Sequence, residues 1–381
     1  MDNNNIPGND QPAQYQQYQP AENAYDITQD PVMLRKSIKK GYGWTGLSMV
    51  LQLLFLTAVS IIASITYSTV MTAGYMAENP GASQAQLMEF AQELSLKVSS
   101  DAAYNNTVNT IAYLIANLSA AAIGKAAVKA FKAKDLFGKS KLSAKWIAVG
   151  ILGALGIQAA SMFLQTIMIN LTGLMGIRRE TASIVGMSDN ILLNVMILLY
   201  FVIIAPVTEE ILMRGMIMNS LAPVNRKFAL FASALLFGIM HGNFNQMFNG
   251  FLLGLIFGYI AMKSGSIIPS IIAHMTVNAN VMFCTYVYEY KVLMSWGEDT
   301  ASAFEAIHFA VLLVIGIISL VFFLKKNGKI KPEDMVTPGY SYEIAPAEGK
   351  KLTWGLLAKC PSVWIVTIIY LFVAIISVNA V

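Results

Sequence analysis

The chain has 381 residues, 56% of them hydrophobic and only 13% charged, with a net charge of +4. Soluble domains carry about 25% charged residues, so this composition excludes an ordinary soluble protein, and repeated apolar runs of about 20 residues make the chain a polytopic, all-α membrane protein. The small positive charge gathers in loops beside those runs, where it reports topology rather than nucleic-acid binding. The two cysteines, Cys284 and Cys360, form no CxxC pair and so argue against a disulfide framework or a cysteine-based zinc site.

Residues 1–40 read as a disordered cytosolic tail; the part up to Asp30, rich in Asn, Gln, Pro and Tyr, cannot bury a core. Residues 41–187 hold the N-terminal membrane helices, with spans expected over 44–67, 107–123 and 146–171. The first loop carries helical periodicity over 83–98, which suggests an amphipathic surface helix, and the loop after the second span is rich in lysine. A short mixed loop with Arg178, Arg179 and Glu180 follows the third span.

The segment 188–290 is the expected core. Its first helix starts at the capping residues Ser188, Asp189 and Asn190 and continues past Pro206 to about Asn219. The apolar runs 228–241 and 248–262 are short for lipid-facing spans, so they are expected inside the bundle. Gly250, Gly254 and Gly258 recur every fourth residue and permit close helix packing. A further span, 266–288, has Pro269 in its first turn. Residues 291–381 supply the C-terminal membrane helices, 303–324 and 362–378, separated by a lysine-rich loop broken by Pro332, Pro338 and Pro346. The total is nine spans, or eight if one short segment is re-entrant. Alternating loop charge places the N-terminus in the cytosol. No internal repeat appears, which gives a two-halved transporter no support.

Three polar insertions interrupt the apolar core. The first is Glu209 and Glu210 with Arg214, the second Phe237 to His241, the third His274 to Asn278. Ionisable groups in hydrocarbon are costly, and those that persist pair with one another, face the bundle interior and mark functional sites. Glu210 and Arg214 stand four apart and can pair on one helix face, while Glu209 points about 100° away toward the other polar groups. Counting helix rise from the expected ends puts Glu209, His241, His274 and Asn278 on the order of 12–22 Å into the bilayer, as one polar intramembrane cavity requires.

A carboxylate kept from bulk water can act as a general base, which is the role expected of Glu209; the plainer alternatives are a structural carboxylate or an ion-transport site. His241 could position or deprotonate a water. His274 and Asn278 could donate to the oxyanion of a tetrahedral intermediate, or simply bond one helix to another. Glu210, Arg214 and Phe237 are supporting residues. His308 has no such company and is expected at the interface, and Asn243, Asn245 and Asn249 are expected in a polar turn. No Ser-His-Asp set, phosphate loop or HExxH stands in the chain, and no metal ligand is assigned, although a glutamate with two histidines could hold zinc with an open position.

Together the three insertions resemble the EExxxR, FxxxH and HxxxN motifs of the CAAX protease and bacteriocin-processing (Abi) family of intramembrane proteases. They stand here as Glu209 to Arg214, Phe237 to His241 and His274 to Asn278. The resemblance covers about 191–288. It implies peptide-bond hydrolysis inside the bilayer, with Glu209 as general base, His241 its partner in activating water, and His274 and Asn278 as oxyanion stabilisers. Whether family members need a metal, with zinc the cofactor in question, is disputed. Eukaryotic members cut the last three residues from prenylated CAAX proteins. Bacterial relatives are linked to bacteriocin maturation, self-immunity and membrane-protein processing. The Asn/Gln-rich tail and basic loops suit a bacterial origin, so the expected substrate is a hydrophobic peptide or membrane-protein tail rather than a prenylated protein. The rival expectations are a non-catalytic membrane immunity or scaffold protein and an ion-coupled transporter.

Overall fold

The structure, a computed structural model, describes residues 31–128, 133–174, 189–290, 293–331, 334 and 352–379. Residues 1–30 of the tail expected to be disordered, the loop of Arg178, Arg179 and Glu180, and the prolines of the last basic loop lie outside the described residues, while residues 31–40 of that tail are helical, against expectation. Among the described residues the secondary structure is helical throughout, with no strand.

Helix α1 (Pro31–Glu78) has 48 residues. At about 1.5 Å per residue it is more than twice as long as a hydrocarbon core of about 30 Å is thick. The span expected over 44–67 is therefore the middle of a longer helix whose last turns project beyond the apolar layer. There α1 meets α2 (Gln84–Ser100) and the start of α3 (Ala102–Val128): Tyr75 stacks on Phe90 with ring centroids 4.3 Å apart, and Tyr67 lies 4.8 Å from Tyr104. A reciprocal capping box between Ser83 and Gln86 starts α2 where the periodicity places it.

Helix α4 (Ala144–Leu174) is followed by α5 (Ile191–Leu221), which Asn190 caps by accepting from the Leu192 and Leu193 amides. Pro206 lacks an N–H and crowds the carbonyl one turn earlier. The helix absorbs this without stopping, through a π-helical stretch Leu199–Ile204 just before it, and a second one, Ile211–Met218, follows. Such π segments re-aim side chains and recur at functional sites. Between the two, six α-helical residues, Ala205–Glu210, carry the paired carboxylates.

Then come α6 (Arg226–Met240), α7 (Phe244–Ser264), α8 (Ile268–Cys284, extended by the π turns Thr285–Tyr290), α9 (Glu298–Asn327), the short α10 (Trp354–Leu357) and α11 (Pro361–Asn379). Six helices, α1, α3, α4, α5, α7 and α9, are long and apolar enough to cross a membrane. Helix α11 adds a shorter apolar stretch, Pro361–Ile376. The protein is a multi-pass membrane protein. Helix α5 sits at the centre, against α3, α6 and α8, while α1 pairs with α3 and α11, and α4 with α9 and α7.

Lipid offers apolar surface as readily as a neighbouring helix does, so close backbone approach and hydrogen bonding have to hold such a bundle together. The glycine ladder of α7 does this against α6. Cβ atoms built on Gly254 and Gly250 would stand 3.0 Å from Ala234 Cα and 3.1 Å from the His241 ring. Helices α4 and α9 meet glycine to glycine, and a Cβ on Gly156 would lie 2.6 Å from the Gly316 backbone. Backbone cannot step aside as a side-chain tip can. Gly156→Ala is therefore expected to lower the thermal unfolding midpoint in detergent, by the equivalent of about 1–3 kcal/mol of overpacking. Gly74→Ala, at a position with nothing within 4 Å, should leave the midpoint unchanged or raise it. Equal midpoints for the two variants, read by circular dichroism, would contradict this packing.

Candidate active site

Glu210 is fully buried and Arg214, one turn further along α5, is 1% exposed. Arg214 Nη1 lies 2.9 Å from Glu210 Oε1, and Nη2 donates to the Gly254 carbonyl of α7 at 3.0 Å. The guanidinium also lies over two rings, 4.6 Å from the Phe237 centroid and 5.6 Å from that of Phe257. A buried ion pair is tolerated only when its remaining groups are supported. Here the support comes from a backbone carbonyl that a glycine brings close, and from two aromatic faces. The i, i+4 spacing foretells the pair. Nothing local foretells Gly254 or Phe257, because both belong to a helix that reaches Arg214 only through the tertiary fold.

His274 of α8 joins this pair to the second carboxylate. Its Nδ1–H donates to Glu210 Oε1 at 3.2 Å, and its Nε2 stands 3.8 Å from Glu209 Oε2. The second distance is beyond a direct hydrogen bond but within ion-contact range. Phe257 stacks on the imidazole at 4.8 Å and Phe237 meets it edge-on at 5.7 Å, which fixes the ring plane. Glu209, Glu210, Arg214 and His274 therefore form one directly connected group.

His241 ends α6, and Gly242, at φ +58°, turns the chain away behind it. Its Nδ1 lies 2.8 Å from the Phe237 carbonyl. A carbonyl only accepts, so Nδ1 carries the proton, and the Nε2 of a neutral ring keeps a lone pair. Phe237 is T-shaped to His241 at 5.0 Å as well as to His274, so this one ring touches both imidazoles. Asn278, one turn beyond His274, turns its amide to α5 and donates from Nδ2 to the Phe201 carbonyl at 2.8 Å. That carbonyl belongs to the first π stretch. The second Nδ2 hydrogen remains. The expectation of four polar side chains meeting at one point is thus modified: two meet directly, while His241 and Asn278 are each anchored to backbone beside them.

Side chains that the sequence reading passed over surround Glu209. Tyr113 of α3, Tyr200 of α5 and Tyr370 of α11 all lie within electrostatic reach of its carboxylate, and the Tyr113 and Tyr200 hydroxyls are hydrogen-bonded. Asn117 of α3 donates to Thr208 Oγ1 at 3.0 Å, which fixes the rotation of α5 next to Glu209. The available signal was a polar tip inside an apolar run, at Tyr113, Tyr200 and Tyr370.

His308 also departs from expectation. Its Nε2 lies 3.0 Å from Asn280 Oδ1, and Asn280 Nδ2 donates to Gln158 Oε1 at 3.1 Å. Gln158 in turn donates to the Val277 carbonyl, while Ser161 donates to Asn249, which stands within α7 rather than in a turn. These bonds tie α4, α7, α8 and α9 together behind the site.

The ring nitrogens of His274 both face carboxylates and one nitrogen of His241 faces a carbonyl. Among the described residues no group of three His, Cys, Asp or Glu side chains is arranged to hold an ion.

The fold and the site define a multi-pass membrane protein with a buried, partly neutralised carboxylate–imidazole centre. Residues 191–280 match the family described as type II CAAX prenyl endopeptidase Rce1-like. No curated protein and no solved structure matches the chain.

Proposed function

We propose that the protein is an intramembrane endopeptidase that hydrolyses a peptide bond of a hydrophobic or membrane-anchored peptide. The observation that carries this is the division of labour between adjacent carboxylates. Glu210 is matched by Arg214, while Glu209, with no guanidinium or ammonium paired to it, faces the His274 imidazole at 3.8 Å inside the family-matched segment. Glu209 takes a proton from a water oriented by the His241 Nε2 lone pair. The water oxygen attacks the peptide carbonyl carbon. The resulting oxyanion accepts from the second amide hydrogen of Asn278 and from Nε2–H of His274 in its doubly protonated form, whose Nδ1–H is held by Glu210. Collapse breaks the C–N bond, and the proton held by Glu209 passes to the leaving amine.

An apolar groove of about 530 Å³ between α5 and α8, lined by Val195, Leu198, Val202, Met282 and Phe283, suits an apolar substrate segment. It adjoins the Asn278–Phe201 contact through Val202 and Ala279. No step here passes through a metal.

The test uses wild-type protein in liposomes with a single-span hydrophobic peptide, in water enriched in ¹⁸O. Mass spectrometry should find two fragments, with label in the new carboxylate, and equal yield in the presence of 1,10-phenanthroline. An intact peptide would overturn the hydrolase assignment. Cleavage lost to the chelator and restored by zinc would overturn the metal-free mechanism.

A further inference from the structure

The family-matched segment ends at residue 280, yet α11 places a side chain against the site from the far end of the chain. Tyr370 is 5% exposed, and its hydroxyl donates to Gln52 Oε1 of α1 at 2.5 Å; Gln52 itself is 1% exposed. The hydroxyl is thereby fixed in direction, with its proton committed to α1. The flank of the ring rests on the turn behind His241: a Cβ on Gly242 would be 3.6 Å from Tyr370 Cδ1 and 3.2 Å from Val373 Cγ1. Tyr370 also lies within electrostatic reach of Glu209 and Tyr113. One buried ring thus packs on the turn that follows the imidazole, while a hydrogen bond fastens it to a third helix.

We infer that Tyr370, locked by Gln52, is a positioning residue of the hydrolytic centre, which holds the His241 turn in register with Glu209. This rests on the hydrolase reading. The logic is geometric. His241 is the C-cap that follows a 15-residue helix, and beyond it the chain turns at a glycine in the left-handed region. A helix end of this kind frays unless something packs on it. The Phe237 carbonyl fixes the imidazole relative to its own helix, but that bond cannot set the position of α6 relative to α5. Tyr370 bridges that gap, because it packs on the Gly242 turn and its hydroxyl is tied to α1, which runs beside α5. Groups that must share one water have to stand within about 0.5 Å of the productive geometry, so a single loosened support shows up in turnover before it shows up in binding.

The measurement is steady-state cleavage of the single-span peptide by full-length protein in liposomes. Tyr370→Phe keeps the ring and removes the anchor. It is expected to lower kcat about five- to tenfold, the kinetic equivalent of one buried hydrogen bond, at unchanged KM. Gln52→Leu should reproduce the loss, and the double variant should be no slower than either single one, since both break the same bond. In a His241→Ala background Tyr370→Phe should have no further effect. A merely structural tyrosine would instead lower the unfolding midpoint and reduce residual activity by the same factor in both backgrounds, and that pattern would overturn the inference. So would wild-type kcat in Tyr370→Phe while Glu209→Gln is inactive, a result that leaves the hydrolase reading intact. Absence of cleavage by the wild type would remove the reading itself and the inference with it.

Discussion

Glu209→Gln is expected to reduce peptide hydrolysis by about a hundred- to ten-thousand-fold while the protein still inserts and folds. The size follows from the role: a general base at a positioned water contributes about that much, and an amide of the same shape cannot take the proton. The survival of the fold follows from the contacts. Glu209 is 8% exposed, and the His274 Nε2 that faces it is 3.8 Å away, so the substitution strands no tightly paired cation. Arg214 keeps Glu210, and His274 keeps its bond to Glu210. The variant should elute from gel filtration in detergent like the wild type and melt within a few degrees of it. Retained cleavage would transfer the base role to His241. Full biological function of both Glu209→Gln and His241→Ala would favour a non-catalytic membrane partner instead.

What could be read from the chain beforehand was what repeats locally. Apolar runs marked the middle of α1, α3 to α9 and α11, Ser83 and Asn190 marked the starts of α2 and α5, and i, i+4 spacing marked the Glu210–Arg214 pair. The polar insertions singled out Glu209, His241, His274 and Asn278. What could not be read depends on how helices meet. The length of α1 beyond residue 67 is set by its partners α2 and α3, through Tyr67 and Tyr75, and not by apolar periodicity. The π stretches around Ala205–Glu210 have only Pro206 as a local cause, and a proline inside an apolar run more often predicts a kink. Asn278 was assigned to the oxyanion by its place in the motif, whereas its partner Phe201 lies far away in the chain on α5. Tyr370 and Gln52 are separated by most of the sequence, and a lone tyrosine in a final apolar helix looks like an interfacial anchor until the fold brings α1 beside it.

Arg214→Met is expected to be the most destabilising single change in the centre. It strips the fully buried Glu210 carboxylate of its guanidinium, and breaking one side of such a pair costs about 3–5 kcal/mol. Methionine fills much of the space and can rest its sulfur against Phe237 and Phe257, so the loss would report charge rather than a cavity. Arg214→Lys should be only a partial rescue, because a single ammonium cannot reproduce the planar fork that serves Glu210 and the Gly254 carbonyl together. The informative comparison is with Glu210→Leu combined with Arg214→Met. Replacing both charges by apolar groups of similar size is often neutral or stabilising, so unfolding titrations in mixed detergent should return most of the lost stability. Cleavage should not return with it, because His274 Nδ1–H then has no acceptor at 3.2 Å and the imidazole loses the bond that aims Nε2 toward Glu209. A double variant that is stable and inactive would separate the two duties of Glu210, neutralising the arginine and aiming the histidine. One that is stable and fully active would show that the ion pair serves the fold alone.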